Sequence, residues 1–338
     1  LPAPGYAGSH EWIGFIPFAE MPHALNPKDG IIVSANHRLL PPEKSRHNLG
    51  KLWRNGYRAE RIRQLLADQS MLNVEECRRI QMDQISLPGL QLVALLNDLQ
   101  VSHREAKLAL SLLRQWDGTL SPECVGGTVY HVLVRELAPA VLAQHVPPGL
   151  LPALLGQGMS YILHPVNEFQ GYLLVNLLKI LAHVPSVWFD SLATRNRLIE
   201  RCLVDVTAVL RQSLGENPAG WQWGRLHQVT FRHPVGLISP FDQVFNVGPF
   251  PLGGDGNTVA QAGMRPGSYA SDAIGVSSRF IIDLSAIEQA EAMLAPGQSG
   301  HLGSPHYDDL APMWLQGENF PVLWTEDAIR AATQHTLT

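Results

Sequence analysis

Charge is sparse in this chain. Only 16% of its 338 residues are Asp, Glu, Lys or Arg, against 45% hydrophobic; that is ample for a core and thin for a surface. There is no basic excess: 25 Lys and Arg face 30 Asp and Glu, a net charge of −5, which argues against nucleic acid as a partner. Cysteine is scarce, with Cys77, Cys124 and Cys202 far apart, odd in number and without a CxxC pair. No disulfide framework and no thiolate metal site is implied. Cys77 and Cys202 lie in helical patterns and read as buried free thiols. No uncharged apolar run approaches the length of a bilayer span, so no membrane partner is expected. No repeat of fixed period is present. What the chain does have is 25 Pro and 29 Gly, scattered as in a fold with many irregular connections.

The hydrophobic pattern divides the chain in three, at 1–56, 57–220 and 221–338. The first part is rich in Pro and Gly and reads as an extended segment with Trp12, Phe15 and Phe18 buried. It ends in IIVSAN, a β-branched run after Gly30 that reads as a buried strand over 31–36. The second part reads as a helical lobe. Tyr57–Ala67 is helical by spacing. Asn73 with Glu76, and Ser102 with Glu105, are capping pairs, and Ser121-Pro122 places Pro at a first helical position. Helices follow over 169–183 and 192–214, with a Pro- and Gly-rich break over 145–168. The third part turns to strands at HQVTFRHP (227–234), GNTVAQAG and SRFIIDLS, with Ser285 and Glu288 predicting a short helix to Met293 and Thr325 a terminal helix. The class is α+β, a discontinuous sheet layer with an inserted helical lobe.

Asn36 ends the expected strand, where a carboxamide emerges at a sheet edge. Its N–H is a neutral donor suited to a developing oxyanion; the plainer alternative is an Asn bonding nearby backbone. Arg58, 22 residues on, offers a donor fork for a carbonyl or a developing charge, or else a stem that covers the core. Arg61 and Arg63 fit the covering role better. GGDGNTV, residues 253–259, is not a phosphate loop, because no GK[ST] follows. Asp255 within it is an acid that either supports a His or caps its own turn, and Asn257 is a second polar residue that faces the site in one reading. His301, His306, Asp308 and Asp309 cluster at GQSGHLGSPHYDDL, but H-x4-H is not a zinc pattern and there is no carboxylate cage; a structural role is the better reading. His227 and His233 read as satisfied buried histidines, and Trp188, Trp221, Trp223 and Trp314 as core area.

Three stretches carry a resemblance: residues 1–41 (LPAPGYAGSHEWIGFIPFAEMPHALNPKDGIIVSANHRLLP), NGYRAERIRQLL at 55–66 and LAPGQSGHLGSPHYDDLAPMW at 294–314. The chain resembles, in order from Leu1 to about Leu323, the penicillin acylase family of N-terminal-nucleophile amidohydrolases, which includes cephalosporin and acyl-homoserine-lactone acylases. The resemblance implies a four-layer αββα core and a precursor cut so that a Ser becomes the first residue of the β subunit. Leu1 matches a point well inside that subunit, so the nucleophile, its amine and most of the acyl pocket are expected upstream, and this chain alone is expected to be inactive. The implied roles are Asn36 in the oxyanion hole, Arg58 at the substrate, and Asp255 behind a His near the nucleophile. The implied partners are the upstream part of the same precursor and a small-molecule amide, either a β-lactam side chain or an acyl-homoserine lactone. A non-catalytic structural or partner fragment is the rival reading. No cofactor is expected. Several relatives bind calcium through an Asp eleven residues after the Asn; His47 stands there and argues against that ion. For the parent protein the resemblance implies the periplasm or secretion, with the cytoplasm as the alternative.

Overall fold

The computed structural model describes residues 4–50, 53–67, 72–158, 167, 169–271 and 274–334. Its elements run α1 (Tyr57–Ala67), α2 (Val74–Gln81), α3 (Leu87–Leu95), α4 (Arg104–Arg114), α5 (Gly126–Leu142), α6 (Leu151–Leu154), α7 (Gln170–Ala182), α8 (Leu192–Leu214) and α9 (Trp223–Leu226). Strands and short helices follow: β1 (Gln228–Phe231), α10 (Asp242–Phe245), β2 (Val247–Pro251), β3 (Ala262–Gly263), β4 (Ile274–Gly275), β5 (Ser278–Ile281), β6 (Glu291–Leu294), α11 (Ala311–Gln316), β7 (Phe320–Pro321) and α12 (Glu326–Ala332). The class is α+β.

The helical core is built on α5. Its buried residues Val129, Val132, Leu133, Leu137 and Val141 recur at helical spacing and meet Ile199, Leu203, Val206 and Leu210 of α8. Helix α4 closes the third side with Ala106, Ala109, Leu110 and Leu113, and α7 adds Leu177, Leu178 and Leu181. Two glycines seat α5: a Cβ on Gly126 would lie 2.2 Å from the Trp116 side chain, and one on Gly127 2.5 Å from Leu120. Helix α8 starts where Ser191 accepts from Thr194 N–H and stops at Gly215, whose φ of 96° few other residues adopt. Asn73 and Glu76 form the expected capping box on α2, and Thr325 caps α12 through Ala328 N–H. Trp221, Trp223 and Trp314 are buried and Trp188 packs against the core from its edge.

The strands form three small antiparallel sheets, β1-β2, β3-β4 and β5-β6-β7. A second apolar cluster lies under them at Val229, Met293 and Trp314, and a third at Val247, Tyr307 and Ala311. The Arg78 fork on Glu291, at 2.8 and 3.0 Å, ties α2 to β6.

Several expectations are corrected. Residues 31–36 form no strand: β-branched side chains favour extension, but among the described residues no segment supplies a ladder, and the bridge nearest is that of His37 to Arg54. Trp12, Phe15 and Phe18 are not buried; they are 91%, 93% and 88% exposed, because no described element covers them. The helix expected to run to Met293 is one 3₁₀ turn at Ile287–Gln289 followed by β6, since pairing with β5 and β7 overrides the Ser285–Glu288 signal. Ser102 does not cap α4. His103 holds the cap position, while the Ser102 and His103 N–H groups both donate to Glu200. Pro122 lies in a turn before α5, not at its first position. The strand expected at GNTVAQAG shrinks to β3. Cys77 is half-buried; only Cys202 is fully buried, and all three thiols are free. His233 is half-buried and stacks on Phe245. Part of the break expected over 145–168 falls on 159–166 and 168, outside the described residues.

Candidate active site

Asn36 and Arg58 meet. The bridge of His37 to Arg54, with Arg54 N–H donating to Asn36 O at 2.8 Å, lays the segment beside the start of α1. Arg58, in the first turn of α1, turns its fork on that segment. Its Nη2 donates to Asn36 Oδ1 at 2.7 Å and to Ala35 O at 3.1 Å. A guanidinium only donates, so the atom facing it must be the amide oxygen. The Asn36 NH2 group is thereby turned outward, and no described residue takes it up. Asn36 sits at φ 60°, a left-handed conformation that Asn tolerates better than most residues.

The surroundings are cationic. Burial, then the nearby Arg54, pull the Arg58 pKa down. Burial, then Arg63 and Arg58, pull His37 down and favour its neutral ring, with Arg63 Nη2 3.2 Å from its Nε2. Arg63 thus reaches the residue after Asn36, whereas Arg61 faces away and grips Asp83 with two bonds of 3.0 and 2.7 Å.

Asp255 bonds within its own turn and not to Asn36 or Arg58. It is 1% exposed and its Oδ1 accepts from Asn257 N–H at 2.6 Å and Thr258 N–H at 3.0 Å, so it caps its own turn. Its Oδ2 lies 3.4 Å from His131 Nε2, inside a stack in which Trp223 lies between the His131 and His227 rings. Burial pushes the Asp255 carboxyl up, but His131 and the Asn257 N–H outweigh it, and the net direction is down. His227 donates from Nδ1 to Tyr269 O at 2.6 Å, and burial lowers its pKa to about 4. Asn257 Oδ1 accepts from Asn55 Nδ2 at 2.8 Å, three residues before Arg58. Sequence reasoning missed His131 and Asn55. Asn55 carried one usable signal, a short polar side chain just ahead of a helix, where it accepts from Tyr57 N–H at 3.3 Å.

Among the described residues no group of three or more His, Cys, Asp and Glu side chains gathers as metal ligands. His306 pairs with Asp309 at 2.8 Å on the surface, while Tyr307 of the same stretch packs into the third apolar cluster. His47 Nε2 meets Glu20 Oε2 at 2.7 Å. Among the described residues no helix is long and apolar enough to cross a membrane.

A family model described as penicillin amidase matches residues 1–331. The chain belongs to the penicillin amidase family, a family of amidohydrolases. It is 29% identical to the penicillin acylase 2 proenzyme of Pseudomonas sp. strain SE83, over 98% of this chain and 41% of that protein. It is 26% identical to the acyl-homoserine lactone acylase QuiP of Pseudomonas syringae pv. syringae strain B728a, over 94% and 40%. The chain therefore spans about two-fifths of the length of these relatives. Its fold is that of a thermostable penicillin G acylase from Alcaligenes faecalis, an N-terminal-nucleophile hydrolase fold, with a TM-score of 0.59 at 19% identity over 98% of this chain and 60% of that one.

Proposed function

We propose that this chain is the part of a penicillin-acylase-like enzyme that supplies the side-chain oxyanion donor for hydrolysis of a linear amide. One observation carries the reading: Arg58 holds Asn36 by its oxygen at 2.7 Å and so presents the amide N–H groups outward. Such a donor, fixed before the reaction, stabilises charge as it develops on the substrate carbonyl oxygen. In this reading the nucleophile belongs to the remainder of the precursor, which is in keeping with a chain that spans two-fifths of its relatives. There a seryl oxygen bonds to the amide carbon and its proton passes to its own α-amine. The C–N bond then breaks, the amine leaves with that proton, and water releases the acid from the acyl-enzyme. That remainder is also the surface that covers Trp12, Phe15 and Phe18, whose exposure otherwise leaves apolar area in water. Asp255 acts outside the reacting atoms, and no step runs through a metal. We place the parent protein in the periplasm or outside the cell.

The substrate is a β-lactam side-chain amide or an acyl-homoserine lactone, the two classes named in the relatives. The test assays the full-length processed protein and the isolated chain against a chromogenic phenylacetyl-anilide, penicillin G and an acyl-homoserine lactone. The expected result is turnover of at least one by the full-length protein and of none by the chain alone. Turnover by the chain alone, lost on replacing one of its own Ser residues, would contradict the proposal, as would an inert full-length protein.

A further inference from the structure

The pair Asn36–Arg58 is only as well placed as the first turn of α1, and α1 is gripped on either side of Arg58 by one rigid turn. On the near side, Asn257 Oδ1 accepts from Asn55 Nδ2 at 2.8 Å, and Asn55 Oδ1 accepts from Tyr57 N–H. On the far side, Arg61 is bound by both oxygens of Asp83, whose backbone carbonyl accepts from Ala260 N–H at 2.9 Å. Both grips end on the segment 254–260.

That segment is built to hold its shape. Gly254, at φ 77°, brings the chain so close to Ala260 O that a Cβ would lie 2.5 Å from it. The buried Asp255 carboxylate binds the Asn257 and Thr258 N–H groups. Thr258 Oγ1 takes up Asp255 N–H at 2.9 Å and donates back to the turn's carbonyls. Gly254 is moored to the helical body through Leu120 O and the Trp223 indole. A half-buried carboxamide on such a turn, bonded across 202 residues of chain to the residue three before Arg58, is spent on placement.

We propose that Asn257 is a positioning residue for the oxyanion donor: through Asn55 it fixes the start of α1, hence the Arg58 fork, hence the direction of the Asn36 N–H groups. This rests on the reading of Asn36 given above. The Asp255 carboxylate acts one step further back, by shaping the turn that presents Asn257.

The test is steady-state kinetics on the full-length processed enzyme. Asn257→Leu is nearly isosteric and cannot accept a hydrogen bond. It is expected to lower kcat by about ten- to a hundredfold, with KM little changed, because misplacement is felt in the transition state more than in binding. Asn257→Asp keeps an acceptor oxygen for Asn55 and recovers most of the loss. Asn55→Ala, which breaks the same contact from the other side, gives a similar loss and serves if Asn257→Leu folds poorly. In an Arg58→Ala background Asn257→Leu costs little more, since the residue through which it acts is gone. A purely structural role would still cost in that background and would raise KM or lower thermal stability instead. Asn36→Gly is the reference: if it leaves kcat intact, the oxyanion reading fails. If it lowers kcat as expected while Asn257→Leu and Asn55→Ala leave kcat at the wild-type value, the positioning role is overturned alone.

Discussion

The helical region around α5 and the segment 4–50 are made from similar residues and end up opposite. In the first, Leu133, Leu137, Ile199, Leu203 and Trp223 are all fully buried. In the second, Tyr6, Trp12, Ile13, Phe15, Phe18 and Leu25 are 85–102% exposed, and Ala35 is the buried apolar residue. The helices of the first region satisfy their own backbone and then stack apolar faces on one another. The second has no ladder or helix of regular length, and is attached chiefly where Arg54 and Arg58 bond to Ala35 and Asn36. The residue proposed to do chemistry thus lies on the region with no core of its own, and its geometry is borrowed from the other.

That contrast is sharpest in core truncations. Leu133→Ala removes a side chain packed on all sides and is expected to cost roughly 2–5 kcal/mol in chemical denaturation, whether or not the rest of the enzyme is present. Phe15→Ala in the isolated chain is expected to stay within about 0.5 kcal/mol, as for an exposed site. In the full-length enzyme it should rise to roughly 3–5 kcal/mol if a partner surface buries the ring. Equal costs for Phe15→Ala in the two forms would erase the proposed difference between the regions.

The pH dependence of stability should report chiefly the buried region, with His37 of the segment 4–50 adding a change of the same sign. His227 has a folded pKa lowered to about 4 from 6.5, burial being the main cause. Below pH 6.5 the unfolded chain takes up a proton that the folded chain refuses. The contribution is therefore fully present above pH 6.5 and is lost as pH falls toward 4, on the order of 3 kcal/mol in all. His227→Gln should flatten that limb. A limb unchanged by His227→Gln would show that the ring is not dry.

What could be read in advance follows the same division. Helix α2 was legible because Asn73 and Glu76 mark its start, and α8 was expected over 192–214, whereas the Ser121-Pro122 signal announced α5 but misplaced its first turn. Ile31, Ile32 and Val33 predicted a strand because propensity is local, whereas a strand exists only with a neighbour to bond. Ser285 and Glu288 had the cap without the helix, since the residues after them gain more by pairing with β5 and β7. Arg58 with Asn36 was legible through family resemblance. The His131–Asp255 contact and the Asn257–Asn55 bond were not, because they join residues far apart in sequence and neither side chain has a pattern of its own.

The central claim is that Asn36, held by Arg58, is the oxyanion donor. The most direct measurement is kcat for Asn36→Gly in the full-length processed enzyme, since glycine removes the donor and accepts the left-handed φ without strain. The account predicts a fall in kcat of about 10² to 10³, the usual cost of one lost oxyanion donor, with unfolding midpoint close to wild type. A folded Asn36→Gly enzyme that turns over at the wild-type rate would contradict it.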